Sequence, residues 1–341
     1  MKLSPLARRR FDKFRANKRG YWSFILFTLL FVLSLFAELI ASDAPIMVRY
    51  DGHTYFPIIE SRSEQSYGGD FETEADYRDA YVQELIAKKD GWVLWPPVHY
   101  SYRTIDFGNP KTAPTEPDER HLWGTDDQGR DVFARVLYGF RISVIFGLIL
   151  TVVSAGLGIV AGAVQGYFGG WTDIILQRII EVLNSIPFLV LLITIAAMIE
   201  PSFWLLLGVM IFIMWVYLVD VVRAECLKTR NLDYVRAAKS LGVRERSILF
   251  RHVLPNALVA ALTLTPFLLN ASITTLAALD FLGFGLPPGS ASLGEMLRQG
   301  KDNVQAWWLF IASFASLALM MSLLVFIGEA VRDALDPRKA S

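Results

Sequence analysis

The sequence predicts an all-α membrane protein with about six transmembrane helices and a polar insert between the first two of them. Hydrophobic residues make up 53% of the 341 residues, and the mean hydropathy of +0.39 is too high for an ordinary soluble chain of this length. Six segments approach the roughly 20 apolar residues that a bilayer-spanning helix needs. Lys and Arg cluster before the first segment and between the fourth and fifth segments. The positive-inside rule places such basic parts of the chain in the cytoplasm.

The six apolar segments follow one another with polar connections between them. We expect the spans at 21–41, 142–164, 175–199, 203–222, 257–278 and 307–328. The third span begins with the polar pair Arg178 and Glu181, so its start is the least defined. Pro187 and Pro266 fall inside the third and fifth spans, and each removes a backbone hydrogen bond and can kink its helix.

The distribution of charge predicts the orientation of the chain. Residues 1–20 carry eight Lys or Arg and one Asp, which places this basic N-terminus in the cytoplasm. The apolar run after it is too long for a signal peptide, which favours an uncleaved membrane anchor. With six spans, the tail 331–341 is also cytoplasmic. The loop at 223–256, with eight basic and three acidic residues, then faces the same side.

The segment 42–141 should lie outside the cytoplasm, because it follows one crossing of the membrane. Its many aromatic residues predict a folded insert, with a helix at 71–89 and extended pieces at 47–50 and 54–59. Towards its end, residues 132–140 should form a helix along the membrane surface. The insert either contacts a soluble partner or stabilises the helices, and the sequence leaves both readings open.

A polar motif ends the insert, and a stripe of glycines follows it in the second span. Thr125, Asp126 and Asp127 offer oxygens that could cap the next helix, whereas their spacing does not match a calcium-binding loop. The motif consists of Gly124, Thr125, Asp126, Asp127, Gly129, Arg130 and Asp131. The glycines, which recur every four residues and predict close packing against a neighbouring helix, are Gly158, Gly162 and Gly166.

Several function classes find no support in the sequence. A phosphate-binding Gly-x-x-x-x-Gly-Lys-Ser/Thr loop and a catalytic nucleophile motif are absent. One cysteine and four scattered histidines give no pattern of metal ligands. The net charge of zero offers no argument for nucleic-acid binding. We therefore expect no catalytic residues and no metal site. An ion-coupled carrier would be expected to place carboxylates deep in the membrane, and few charges lie there.

The 223–256 loop is the most informative part of the chain. Asn231 or Asp233 can cap a short helix carrying the small residues Ala237 and Ala238, and Gly242 can end that helix in the left-handed conformation. A second helix, with Val243, Ile248 and Leu249 facing inward, would lead to Pro255 in the first turn of the fifth span. This arrangement is either a docking site for a soluble protein or an ordinary amphipathic loop.

The spacing of this loop resembles that of bacterial ABC importer permeases. Its matching positions are Ala237, Ala238, Gly242, His252, Leu254 and Pro255. Arg236 and His252 depart from the general pattern in the manner of the peptide-importer branch. The 124–131 motif and the segments 138–143, 169–173 and 280–288 are similar to that branch as well, so the resemblance covers roughly residue 119 to the C-terminus. The long insert is similar to the subgroup that imports microcin C-like peptides.

This resemblance implies half of an importer in the bacterial inner membrane, with five permease helices at 142–330. Its expected partners are a second homologous permease, a cytoplasmic ABC ATPase, a periplasmic substrate-binding protein, a peptide-like substrate and membrane lipid. ATP and magnesium would bind to the ATPase, so this chain would need no cofactor. The six loop residues named above would seat the loop in the ATPase. The alternative from another class is a stand-alone channel or an ion-coupled secondary carrier.

Overall fold

Helices dominate the computed structural model, which describes residues 5–335. In chain order the helices are α1 (Pro5–Ala16), α2 (Lys18–Leu35), α3 (Ala37–Ile40), α4 (Ala80–Ala87), α5 (Val132–Phe168), α6 (Gly170–Ser185), α7 (Phe188–Met198), α8 (Phe203–Met214), α9 (Val216–Thr229), α10 (Asp233–Ser240), α11 (Glu245–Ile248), α12 (Leu254–Leu282), α13 (Leu293–Asp302) and α14 (Trp307–Leu335). The predicted all-α membrane class is confirmed.

Five helical segments of the described chain are long and apolar enough to cross a membrane. They are Lys18–Leu35, Val132–Phe168, Phe203–Thr229, Glu245–Leu282 and Trp307–Leu335. The pair α6 and α7 makes a sixth if it is counted as one span, although its two helices are bent by 70°. Pro187 lies at this break as the N-cap of α7. Pro266, in contrast, lies inside α12, which continues through it.

The chain divides into two compact units, which we describe separately. Among the described residues, the core unit comprises 5–28, 143–287 and 318–335, and the insert unit comprises 29–142 and 288–317. In the core unit, Leu206 and Met210 of α8 pack with Phe146 of α5 and Leu276 of α12 in one apolar cluster. The core unit also contains most of the 142–330 segment that the sequence assigns to the permease helices.

The insert unit contains a three-stranded antiparallel sheet in the order β2-β1-β3. Its strands are β1 (Met47–Tyr50), β2 (His53–Tyr55) and β3 (Trp92–Leu94). The prediction of a strand at 47–50 is therefore correct, whereas the one at 54–59 is wrong beyond Tyr55, because Ile59 N–H bonds to Phe56 O in a turn. The third strand was not predicted.

The helix expected at 71–89 is also shorter than predicted. Asp79 starts α4 at Ala80 by accepting a hydrogen bond from Tyr81 N–H at 2.9 Å. Val82 and Ile86 of this helix are buried in a cluster with Tyr67 and Tyr77. In this part of the insert unit, the three strands and α4 are thus folded around a cluster rich in tyrosine.

No separate interfacial helix precedes the second span. The residues expected to lie along the membrane surface belong to the continuous helix α5, and Val132, Val136 and Phe140 are buried. The capping prediction needs correction as well. Asp131 caps α5, because its Oδ1 accepts a hydrogen bond from Ala134 N–H at 2.8 Å. The oxygens of Thr125 and Asp126 have other partners.

Candidate coupling site

The 223–256 loop starts as the last turns of α9 and folds into two short helices. Leu232, rather than Asn231 or Asp233, is the N-cap of α10. Asp233 instead lies in the first turn, where a negative charge favours the helix N-terminus. A π-helical turn at Leu249–Val253 joins α11 to α12, and Pro255 lies in the first turn of α12. Helical structure therefore continues from Glu245 into a long span.

The bend between α10 and α11 is a glycine-closed helix end. Gly242 has φ +76°, its N–H bonds to Lys239 O at 3.0 Å, and Val243 N–H bonds to Ala238 O at 3.1 Å. This pair of bonds is the Schellman motif, which favours glycine at its left-handed position. The motif leaves Val243 exposed, so the expectation that Val243 faces inward is wrong.

The inner side of the loop is packed. Val235, Ile248 and Val253 are buried in one cluster with Cys226 of α9 and Ala257 of α12. Leu249 belongs to the same cluster, as expected from the sequence. Because interiors are close-packed, this cluster holds the two short helices firmly on α9 and α12.

The outer side of the loop presents small and apolar residues to solvent. Ala237, Gly242 and Pro255 are exposed, and Leu241 beside Gly242 is 83% exposed. A Cβ added to Gly242 would meet no atom within 4 Å, so space is open above this turn. Exposed apolar groups beside an open backbone are typical of a protein docking surface.

Three predicted positions lie partly inside the loop. Ala238 and Leu254 pack against the buried cluster. His252 is also partly buried, and its backbone oxygen accepts a hydrogen bond from Tyr234 Oη at 3.3 Å. Asn256 Nδ2 donates to the same Tyr234 oxygen at 3.0 Å. These residues support the conformation of the loop, whereas Ala237 and Gly242 form its surface.

A set of polar contacts ties the loop to the connection between α5 and α6; we call it the connector clamp. Arg223 makes two hydrogen bonds to the carboxylate of Asp173, at 2.6 and 2.7 Å. Arg230 Nη1 donates to the backbone oxygens of Gly166 and Tyr167, at 3.1 and 3.2 Å. Tyr167 also donates to Glu245 of α11. The clamp therefore links the end of α9 and the start of α11 to the same connector.

The glycine stripe lies against α9. A Cβ added to Gly158, Gly162 or Gly166 would lie 2.5–2.6 Å from a backbone oxygen of that helix. The three oxygens belong to Trp215, Val219 and Arg223, which are also four residues apart. Only glycine permits this close approach of the two backbones, since real Cβ contacts are longer.

The 124–131 motif lies in the insert unit, where it forms a buried ionic network. Arg130 Nε donates to Asp126 Oδ2 at 2.7 Å, and Arg135 Nη2 donates to Glu295 Oε2 at 2.9 Å. Arg135 Nε is 3.3 Å from Asp126 Oδ2, which joins the two pairs. Ion pairs this deeply buried leave costly unpaired charges when one partner is removed.

The remaining motif residues shape the turn around this network. Thr125 Oγ1 accepts a hydrogen bond from Thr115 N–H at 2.8 Å, and its backbone oxygen accepts one from Trp308 Nε1 at 3.1 Å. Gly124 and Gly129 have φ +73° and +82°, the left-handed region. Asp127 is exposed and takes no part in capping α5.

His121 lies between two carboxylates beside this motif. Its Nδ1 is 2.8 Å from Asp131 Oδ2, and its Nε2 is 3.3 Å from Asp106 Oδ2. Burial alone would lower the pKa of His121, but the bonds to Asp131 and Asp106 outweigh it and raise the pKa above 6.5. Burial would likewise raise the pKa of Asp106, yet hydrogen bonds from His121, Gly108 N–H and Tyr100 lower it below 3.8.

Sequence reasoning missed these polar partners. Asp173 and Arg223 are 50 residues apart, and Arg135 and Glu295 are 160 apart. The arginines at positions 130 and 135, which follow Asp126 in the sequence, were the one local signal available. No group of three or more His, Cys, Asp or Glu that could hold a metal ion occurs among residues 5–335.

The fold and this loop define a class: a polytopic helical membrane protein in which a loop with a packed inner side and an exposed outer side connects two long apolar helical segments. Comparison with known proteins supplies the family. The family described as binding-protein-dependent transport system inner membrane component matches residues 137–341, and the chain belongs to it.

Relatives that match most of the chain agree with this family. The inner membrane ABC transporter permease protein YejE of Escherichia coli is 53% identical, with 99% of each chain covered. The peptidoglycan transport system permease protein YejE of Agrobacterium fabrum is 52% identical over 99% of this chain and 94% of its own. The oligopeptide transport system permease protein OppC of Bacillus subtilis is 33% identical over 70% of this chain and 78% of its own.

The predicted function class is thereby confirmed. The chain is a multi-pass permease subunit of an ABC importer in the inner membrane, and its relatives support a peptide importer. Permeases of this family work with ATPase and substrate-binding partners, and they are generally not catalytic.

Proposed function

We propose that the 223–256 loop docks in a cytoplasmic ABC ATPase and passes the closure of that ATPase to the membrane helices. The observation that carries this proposal is the Schellman turn at Gly242, with open space above it and a packed cluster below it. A partner can approach Ala237 and Gly242 closely, because neither presents a large side chain. The buried inner side then transmits the displacement, since a close-packed cluster resists compression.

The displacement has two routes out of the loop. One is α12, which continues from α11 through the π-helical turn. The other is the connector clamp, which joins the loop to α5 and α6 through Arg223, Asp173 and Arg230. ATP-driven closure would therefore move several spans together and alternate access to the pathway between the two permeases.

The test compares two glycines that have nearly the same backbone φ angle. Gly242 and Gly52 have φ +76° and +77°, and an added Cβ at either would meet nothing within 4 Å. Gly242→Val and Gly52→Val should therefore impose similar local strain. We expect Gly242→Val to abolish uptake and substrate-stimulated ATPase activity in proteoliposomes of the complete importer, while Gly52→Val retains both. Normal uptake by Gly242→Val would refute the docking proposal.

We further propose that this chain carries no catalytic residue and no cofactor, because ATP and magnesium bind to the separate ATPase chain. The second half of the pathway is a homologous permease, and both termini are cytoplasmic. A cysteine introduced at Arg8 should be labelled by a membrane-impermeant reagent only in inverted vesicles. One introduced at the exposed Ile59 should be labelled in intact spheroplasts.

For the insert, we propose contact with the periplasmic substrate-binding protein. Ile59 and Phe107 are strongly exposed apolar side chains of this unit, and the aromatic cluster beneath gives it a defined shape. Replacing both with Ser should weaken stimulation of the ATPase by the binding protein without changing the basal rate. Unchanged stimulation would favour a role in stabilising the helices.

The substrate is proposed to be a peptide or peptide-like compound, in keeping with the peptide permeases among the relatives. The narrower proposal of a microcin C-like peptide rests on the resemblance of the long insert. Competition between a microcin C-type peptide and an unmodified oligopeptide for uptake would test it, and uptake of the oligopeptide alone would overturn it.

A further inference from the structure

A groove in the core unit gathers basic side chains from three separated parts of the chain. Arg10 of α1, Lys228 of α9 and Arg332 of α14 line it, together with Asn256 at the start of α12. The groove has a volume of about 430 Å³. The coupling function described above does not use the three basic side chains.

The charge of this groove is positive. Glu225 is its one acidic lining residue, and it lies 3.6 Å from Lys228 Nζ. Arg10 and Arg332 have no carboxylate among the lining residues left to balance them. A cluster of this kind attracts an anion, and the forked guanidinium groups match the oxygens of a phosphate.

The groove becomes apolar along α12. Val259, Ala260 and Thr263 continue the wall that Asn256 begins, and Leu335 of α14 adds to it. From Asn256 to Thr263 the helix rises about 10 Å at 1.5 Å per residue. The polar end therefore lies at the 223–256 loop, and the apolar end lies along α12, which is part of a membrane-spanning segment.

The N-terminal segment is held where Arg10 can reach this groove. Gly20 of α2 lies against α14, because a Cβ there would be 2.8 Å from Phe326 O and would overlap Ala330. Asn17 Oδ1 accepts a hydrogen bond from Gly20 N–H at 3.2 Å, which fixes the turn between α1 and α2. The three basic side chains are thus brought together by the fold.

We propose that this groove binds one anionic phospholipid of the adjoining leaflet. Its phosphate contacts Arg10, Lys228 and Arg332, and an acyl chain lies along Val259 and Ala260 of α12. A phospholipid combines the two features that the groove offers, a negative phosphate and a hydrocarbon chain, whereas soluble phosphate has only the first. Basic pockets between transmembrane helices bind anionic lipid headgroups in this manner.

The test compares two pairs of charge-removing variants in the full chain. Arg10→Gln with Arg332→Gln alters the groove, and Arg8→Gln with Arg19→Gln removes the same charge from exposed positions nearby. Lipid retained after purification from membranes containing phosphatidylglycerol and phosphatidylcholine would be counted by native mass spectrometry. We expect bound phosphatidylglycerol to fall about tenfold in the groove variant relative to the control pair.

The source of the anion is tested with the deacylated headgroup, glycerophosphoglycerol. We expect it to leave the bound phosphatidylglycerol in place at millimolar concentration, because it lacks the acyl chain. Equal loss of lipid from both variant pairs would overturn the proposal, since it would show diffuse attraction alone. Displacement by the headgroup would also overturn it, in favour of a soluble phosphate site.

Discussion

Breaking the ion pair between Asp173 and Arg223 should uncouple ATP hydrolysis from uptake. Asp173→Asn keeps the size of the side chain and removes its charge. Both groups are largely shielded from solvent, with 17% and 30% of their side chains exposed, and they make two short hydrogen bonds. Charged hydrogen bonds of this kind contribute about 1.5–3 kcal/mol, and we take about 2 kcal/mol because of the residual exposure.

A loss of about 2 kcal/mol lowers the ratio of clamped to unclamped loop about 30-fold, since 1.4 kcal/mol corresponds to a factor of ten. The loop would then keep its own packed cluster but lose one of its ties to α5 and α6. We expect ATPase activity to persist while the number of substrates transported per ATP falls several-fold. Proteoliposomes of the complete importer allow both rates to be measured on one sample.

Swapping the two charges distinguishes the loss of the Asp173–Arg223 ion pair from a general disturbance of the fold. Arg223→Asp and Asp173→Arg should each uncouple transport, and the double variant should recover much of it because the pair re-forms with opposite polarity. Glu181→Gln is the matched control. It breaks an ion pair with Arg178 of 2.6 Å on the same helix α6, at positions that are 50% and 77% exposed, where such pairs contribute little. Normal coupling in Asp173→Asn, or no recovery in the swap, would refute the role of the clamp.

Two further predictions concern the stability of each unit. Gly162→Leu should destabilise the core unit by about 3 kcal/mol, because the larger side chain overpacks the contact and separates α5 from α9. Gly156→Leu is the control and should be tolerated, because a Cβ at this position would meet nothing within 4 Å. Equal melting temperatures of the two variants in detergent would contradict this prediction. Protonated His121 should stabilise the insert unit fully below pH 6.5, and this stabilisation should be lost as the pH rises through the raised pKa of His121 in the folded protein. Ionised Asp106 should stabilise the unit above pH 3.8, and this stabilisation should be lost as the pH falls through the lowered pKa of Asp106 in the folded protein. The protection of amides 106–131, measured relative to the intrinsic exchange rate at each pH, should therefore fall on the alkaline side in the wild type but not in His121→Gln. Identical pH profiles of protection in the two proteins would argue against this assignment.

Local rules predicted the parts of the loop that local geometry determines. Gly242 adopts the left-handed conformation, and Pro255 occupies the first turn of α12, because both follow from the backbone preferences of single residues. The same reasoning failed at Val243, because the bond from its N–H to Ala238 O turns this residue outward. Helical periodicity does not apply across such a turn.

Long-range polar contacts could not be predicted from the sequence. Asp126 looked like part of a local capping motif, yet it pairs with Arg135, which also reaches Glu295 in another region of the chain. His121 looked isolated because its partner Asp106 lies in a loop without a recognisable pattern. Sequence spacing predicts which residues share a helix face, whereas such partners depend on how separate segments pack.

In the proposed coupling, the outer surface of the loop acts on the spans through the π-helical turn at Leu249–Val253. Such turns often occur at functional sites, where the widened backbone can change its hydrogen bonding. Here the first and last residues of the turn, Leu249 and Val253, are buried in the cluster that also contains Ala257 of α12. A force applied near Gly242 therefore cannot bend the turn without breaking this packing. Because the packed cluster and the connector clamp restrain the same loop, displacement should tilt α12 together with α5 and α9, which is the collective motion that alternating access requires.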